Sequence, residues 1–516
     1  MTTLAFTTLR TGPTRGRRTA DFPMAEVLVI LGLLTVYLVV PDGASPAIMW
    51  TCLVLQYGVL AASLARPVIV RPGLTSYITT EFLFLFLAYL IFFYPYQLHV
   101  LGIYDVSQSN FFRDSFAEQS NHAILLSAMA VVGFRAGIRV LRMPEPGSEV
   151  TPTGAGRLDR VTVPALVLPV FALQLVFIGA YLALGWKAAG ESRYSSWEVA
   201  TVVASPLVEG VYSAIIVLCM VAVALWILPA SHTATRVSAF LSLSVLISAL
   251  WSLRLLVNGD RNSFLLIALV AVAGFVTFRV RVGRWVLAVL AVGAVAMYNA
   301  AEALRAGRVG SWPDFVQGML GNTASAAYNG DTTFNISTVS VRAVLAGVPD
   351  LIDYGYGFYK LIGVGGIIPF IRGIIVPKDV TYTQSSQVIN EILLGTRPRW
   401  VIGSNVIVDV YADFGAIAVP VLLFVLGLFV AYVQRGVVRQ PNSPWRAVLY
   451  LVTLALIAET PRYSLDFSVR SLVWVAALFW VVSMLPTGWH GRARGTTPRS
   501  GPSRLRGRSA RSTLSR

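Results

Sequence analysis

The chain has 516 residues, 56% of them hydrophobic and only 13% charged, with a mean hydropathy of +0.68. Soluble domains carry about 25% charged residues, so a soluble globular enzyme is excluded and a polytopic membrane protein is indicated. The net charge of +16 is no nucleic-acid signature, because twelve of those charges are Arg10, Arg15, Arg17 and Arg18 at one end and Arg492, Arg494, Arg499, Arg504, Arg506, Arg508, Arg511 and Arg516 at the other.

Residues 1–23 read as a basic cytoplasmic tail. A bilayer core of roughly 30 Å takes about 20 apolar helical residues. Runs of that kind fall near 24–40, 46–65, 78–95, 121–140, 162–185, 206–228, 237–257, 262–279 and 285–303, then 404–433, 446–461 and 467–486. The sequence therefore predicts an all-α membrane protein of about twelve spans: nine in 24–303 and three in 404–486. The first run has the basic flank and small residues of a signal peptide, but with so many spans after it an uncleaved helix is expected.

Between the two groups of spans lies a long connection, 304–403, too long for a simple linker and expected to hold short helices. The tail 487–516, rich in Gly, Pro, Ser and Arg, lacks the apolar residues to fold and reads as a cytoplasmic anchor facing anionic lipid. Arginine-dense connections alternate along the chain: Arg66 and Arg71; Arg135, Arg139, Arg142, Arg157 and Arg160; Arg236; Arg279, Arg281 and Arg284; Arg435, Arg439 and Arg446. By the positive-inside rule both termini are cytoplasmic and 304–403 is outside.

Several chemistries are excluded by pattern. His99, His122, His232 and His490 are scattered and form no metal-ligand spacing, and Cys52 and Cys219 sit in apolar runs as small buried hydrophobes. There is no GxxxxGK[ST] phosphate loop and no DxD, so neither an ATP-driven pump nor a metal-dependent sugar-nucleotide transferase is supported. What remains on the outer side is arginine with carboxylates close by: Arg254, Asp260 and Arg261; Glu302, Arg305 and Arg308; Arg342, Arg372, Arg397 and Arg399; Glu459, Arg462, Asp466 and Arg470. Each alone reads as a structural ion pair. Their recurrence at span ends on one side suits a diphosphate, whose oxygens the guanidinium fork binds bidentately.

Two stretches of the long connection stand out. LIDYGYGFYK (351–360) interleaves glycine with Tyr354, Tyr356, Phe358 and Tyr359, which suits stacking on sugar rings or an interfacial aromatic belt. GVGGIIPFIRGIIVP (363–377) is apolar but too short and broken to span, and reads as a re-entrant or surface-lying segment that sets Arg372 at headgroup level. Beyond the connection, Asp409 and Asp413 share one face of a helix entering the next span, with Ser404 and Asn405 as natural caps. Early carboxylates also suit a helix dipole, so capping and catalysis are both open for them.

The order of features resembles the Wzy-type O-antigen polymerases, the oligosaccharide repeat-unit polymerases. The resemblance rests on NGDRNSFLL (258–266) before a span, the large late loop, and SNVIVDVYADFGAIAVPVLLFVLGLF (404–429) with its tyrosine, Phe-Gly and apolar helix. It implies a GT-C-like membrane glycosyltransferase, acting without metal or cofactor, that moves a growing glycan from polyprenyl diphosphate to the non-reducing end of a new lipid-linked repeat unit. The expected partners are that lipid-linked oligosaccharide and membrane lipids, with a chain-length regulator and a flippase. In this reading Arg261, Arg305, Arg308, Arg372, Arg399 and Arg462 contact the diphosphate. Asp413, Asp409 and Glu391 are the candidates for general base or acceptor binding, and Tyr356, Tyr359 and Tyr411 face sugar. The O-antigen ligases place a histidine in the large outer loop, and 304–403 has none. A ligase-like or other polyprenyl-linked glycosyltransferase and a non-enzymatic glycolipid flippase are the competing readings.

Overall fold

A computed structural model describes residues 23–485 except 66, 72–73, 104, 108–111, 113, 142–155, 190–205, 229–234, 258–259, 369–380, 396–401 and most of 284–332. The described chain is helical apart from one hairpin, β1 (Val68–Arg71) with β2 (Leu74–Ser76). In order the helices are α1 (Met24–Val39), α2 (Pro46–Leu64), α3 (Thr80–Val100), α4 (Ser120–Val140), α5 (Val163–Ala189), α6 (Pro206–Ile227), α7 (Thr235–Val257) and α8 (Arg261–Phe278). Then come α9 (Thr333–Gly347), α10 (Phe358–Gly365), α11 (Ser385–Leu394), α12 (Val406–Phe414), α13 (Ala418–Arg439), α14 (Pro444–Glu459) and α15 (Leu465–Met484).

Eight helices among the described residues are long and apolar enough to cross a membrane, against the twelve expected from apolar runs. Of the other four runs, 24–40 and 262–279 form the shorter apolar helices Met24–Val39 and Asn262–Phe278, and 446–461 forms the 16-residue α14, whose side chains are almost all buried. The run 285–303 lies largely outside the described residues. The span expected over 404–433 is two helices, since Gly415 takes a positive φ of 79° and breaks α12 from α13. Glycine adopts that conformation without the Cβ clash other residues meet.

Two apolar lobes form the core. One gathers α2, α3, α4, α9, α11 and α12; the other gathers α5 to α8 with α14 and α15; α13 reaches into both. Within the first lobe α4 and α13 meet backbone to backbone. A Cβ on Gly133 would lie 2.5 Å from the Pro420 carbonyl, one on Gly137 would run into the Phe424 carbonyl, and one on Gly427 into that of Phe134. Small residues four apart, here Gly133 and Gly137, allow this approach, and close packing supplies the attraction where lipid gives helices no hydrophobic reason to pair. The second lobe is tied by side-chain hydrogen bonds at mid-helix: Gln174 on α5 donates to Ser248 on α7 at 3.0 Å and accepts from Ser244.

Candidate functional site

Helix α12 starts where the sequence predicts, but Asn405 does the capping, accepting from the Val408 amide at 3.0 Å. Asp409 and Asp413 are thereby free of that task, and both are buried, at 3% and 0% exposure. Between them lies Lys360 from α10, its Nζ 2.6 Å from Asp409 and 3.3 Å from Asp413. Lys360 also donates to the Asp409 carbonyl at 2.8 Å.

Each carboxylate oxygen also accepts from a neighbouring element. Asp413 accepts the amides of Gly357 and Tyr359 at 3.2 Å and of Lys360 at 3.1 Å, so it caps α10 rather than its own helix. Asp409 accepts from Ser385 Oγ on α11 at 2.8 Å and from the amide of Leu465, the first residue of α15, at 2.9 Å. Two acids and one ammonium therefore pin α10, α11 and α15 to α12, at the seam between the lobes. Burial pushes the Asp413 carboxyl above its usual range, with Lys360 and the Tyr359 amide pulling it back.

The glycine–tyrosine stretch is built for this junction. The Gly355 amide donates to the Ala412 carbonyl at 2.9 Å and that of Tyr356 to Asp413 at 2.8 Å, wrapping the turn over the end of α12. A Cβ on Gly355 would strike Asp413 and the Tyr359 ring, and Gly357 turns through a φ of 89°. Of the tyrosines expected to face sugar, only Tyr356 is exposed, at 81%, while Tyr359 and Tyr411 are buried. Tyr411 donates to the Val348 carbonyl at 3.2 Å and packs on Tyr354. Burial and then the Asp413 charge push the Tyr359 phenol up to about 12, which keeps it protonated at neutral pH.

The remaining expected residues divide. Arg305, Arg308, Arg372 and Arg399 lie outside the described residues, as does the side chain of Arg261. Glu391 is on α11, half-buried, beside Tyr382, whose phenol is raised by burial and by that carboxylate. Arg462, three residues before the Leu465 amide held by Asp409, donates to Asn262 at 2.7 Å. It therefore stands at the first turn of α8, which Arg261 opens and Asp260 caps by accepting from the Ser263 amide at 3.2 Å. Of 363–377 the structure describes 363–368, where Val364 and Ile368 are each 52% exposed and Trp474 of α15 donates to the Ile367 carbonyl at 3.0 Å.

Lys360 was not singled out from sequence, and Arg342 was read there only as one of the outer arginines. Lys360, one of three lysines against 41 basic residues in all, had one signal: a lone lysine closing a glycine–tyrosine turn in a chain that otherwise uses arginine. Arg342 on α9 is 1% exposed, donates to the Val106 carbonyl at 2.8 Å, and has Ser120 Oγ at 3.5 Å. Its Nε has no partner and it joins no ion pair among the described residues. No signal in a single sequence separates it from the other loop arginines.

Comparison with known proteins gives one result. No curated protein and no solved structure matches the chain. A family model for the O-antigen polysaccharide polymerase Wzy does, over residues 27–485, which takes in both lobes and the junction at Asp409, Lys360 and Asp413. This multi-pass membrane chain belongs to the O-antigen polysaccharide polymerase Wzy family.

Proposed function

We propose that the protein lengthens a cell-surface glycan by moving the growing chain from polyprenyl diphosphate to the non-reducing end of a new lipid-linked repeat unit. The reaction runs on the extracytoplasmic side of a GT-C-like scaffold with both termini in the cytoplasm. The observation that carries this reading is the junction on α12: its buried acids hold the α15 start so that Arg462 meets the first turn of α8 beside Arg261. A helix N-terminus joined by guanidinium groups is a favourable seat for phosphate oxygens.

In this mechanism an acceptor hydroxyl oxygen bonds to the anomeric carbon, the bond from that carbon to the diphosphate breaks, and the lipid diphosphate leaves with the electron pair. Arg261 and Arg462, with Arg305, Arg308, Arg372 and Arg399 of the long connection, stabilise the charge that develops there. The acceptor proton passes to a carboxylate. Asp409 and Asp413 have their oxygens committed to Lys360, Ser385 and backbone amides, so they are positioning residues. Glu391, half-buried on α11, is the base of choice, and Tyr356 offers the exposed ring to sugar. A chain-length regulator and a flippase belong to the same process.

Purified protein with lipid-linked repeat units tests this directly. The expected result is a ladder of products that Arg462→Ala abolishes and Glu391→Gln slows about a hundredfold. Relocation of the substrate across a vesicle without lengthening would replace the polymerase with a flippase.

A further inference from the structure

The ends of α5, α6, α7 and α15 gather a set of donors that the junction on α12 does not use. Arg254, in the last turn of α7, lies over the rings of Tyr181 and Trp251, 5.5 and 5.0 Å from their centroids. Tyr212 of α6 packs on both rings, at 5.7 and 6.4 Å. Arg470 of α15 lies 5.5 Å from the Trp474 ring and reaches Ser213, the residue after Tyr212, at 3.4 Å. Neither arginine is in an ion pair among the described residues. The Nε1 of Trp251, a side chain 5% exposed, and the Nε of Arg470 are both buried without a hydrogen-bond partner.

Asp260, at the start of α8, has its carboxylate occupied. Asp260 accepts from the Tyr212 hydroxyl and from Ser263 Oγ at 2.8 Å and its amide at 3.2 Å. Guanidinium groups stacked on aromatic faces keep their N–H edges available while the rings balance part of the charge. Two cations, with the Trp251 Nε1 and the Arg470 Nε left without partners, form a site for an anion, since buried donors in native proteins are normally satisfied. An ionised phosphate presents acceptors alone and so meets these donors without bringing donors that need partners of their own. Asp260 caps the same turn of α8 that Arg462 reaches through Asn262, so the cluster adjoins the seat described above.

We infer that Arg254 and Arg470, with the Trp251 indole N–H, bind the diphosphate head of an isoprenoid lipid, with Tyr181, Tyr212 and Trp474 shaping its aromatic wall. This rests on the polymerase reading and adds the ends of α7 and α15 to its phosphate contacts. The shared chemistry, an anionic lipid head, also fits an acidic phospholipid, and the test separates the two.

The full-length chain in phosphatidylcholine nanodiscs is titrated with a photoactivatable farnesyl diphosphate, and the adducts are mapped by mass spectrometry. Label is expected on peptides containing Tyr212 and Trp251. Arg254→Gln and Arg470→Gln are each expected to weaken binding about tenfold, the size of one charge-assisted hydrogen bond. Arg254→Lys keeps the charge but loses the fork; its binding is expected between wild type and Arg254→Gln, and it stands in if the Gln variant does not fold. Unchanged affinity in the double Gln variant overturns the site. Displacement by an equal concentration of phosphatidylglycerol overturns the isoprenoid assignment. If wild-type protein binds the probe through these residues yet never lengthens lipid-linked repeats, the polymerase reading falls and the site stands. If it lengthens them with an unaltered KM in the double variant, the site falls and the polymerase reading stands.

Discussion

Where α1 begins and α4, α6, α8 and α15 end, arginine meets acids or bare helix carbonyls. Arg135 and Arg139 close on Glu26, Arg446 binds Asp159 at 3.0 Å, Arg279 donates to the Ile227 carbonyl at 2.7 Å, and Arg157 to that of Ser483 at 3.3 Å. At the opposite end of the helices Arg254 rests on rings, and Arg342 and Arg470 each keep a buried N–H without a partner. Lys360, also at that end, faces two acids and serves the junction. The same residue type thus closes the bundle at one end and is left with spare capacity at the other. Spare cationic capacity at a helix end is costly unless a ligand of opposite charge uses it.

Substitutions at the two ends should separate these roles. The largest effect is expected for Lys360→Met, which leaves two buried carboxylates facing each other: a loss of about 3–5 kcal/mol, read as a collapse of the thermal midpoint, with polymer formation lost alongside. Asp159→Asn, at the other end, removes the acid from Arg446 and Ser443 and should cost about 3 kcal/mol. The comparison breaks if that variant, once folded, shows a changed KM for the lipid-linked donor. Arg279→Gln is expected to cost only about 0.3–1 kcal/mol, the worth of a cation at a helix C-terminus, again with normal polymer length. Arg342→Met sharpens the contrast most while moving stability least: the midpoint should hold or rise, because a buried cation without an acid is replaced by an apolar chain of similar size, and the polymer made in cells lacking the native gene should fall. A drop in midpoint with unchanged polymer would make Arg342 a structural residue.

Much of the arginine-satisfied end was legible in the sequence, because its arginines fall in short connections between apolar runs and such connections bias strongly to one side. The carboxylates of α12 were legible as residues of interest but not as to their role. Spacing places Asp409 and Asp413 on one helical face; it says nothing of the lysine, the serine and the amides that close on them, which come from residues 357–360, 385 and 465. The aromatic stretch 351–360 was likewise legible only as composition: its two glycines, Gly355 and Gly357, let the backbone turn against α12, and of the three tyrosines expected to face sugar, Tyr359 and Tyr411 are buried.

The sequence by itself determined that this chain is a many-span helical membrane protein, since apolar runs of span length have no other stable arrangement in lipid, and its late motifs pointed to the polymerase family that the match over 27–485 assigns. Tertiary structure alone decided which polar groups neutralise one another. Lys360 is assigned to two acids, Gln174 to two serines, and Arg254 and Arg470 to ring faces. The reason is physical: hydropathy is a property of each segment, whereas the pairing of buried charges and donors depends on which helix ends meet, and no local pattern encodes that meeting.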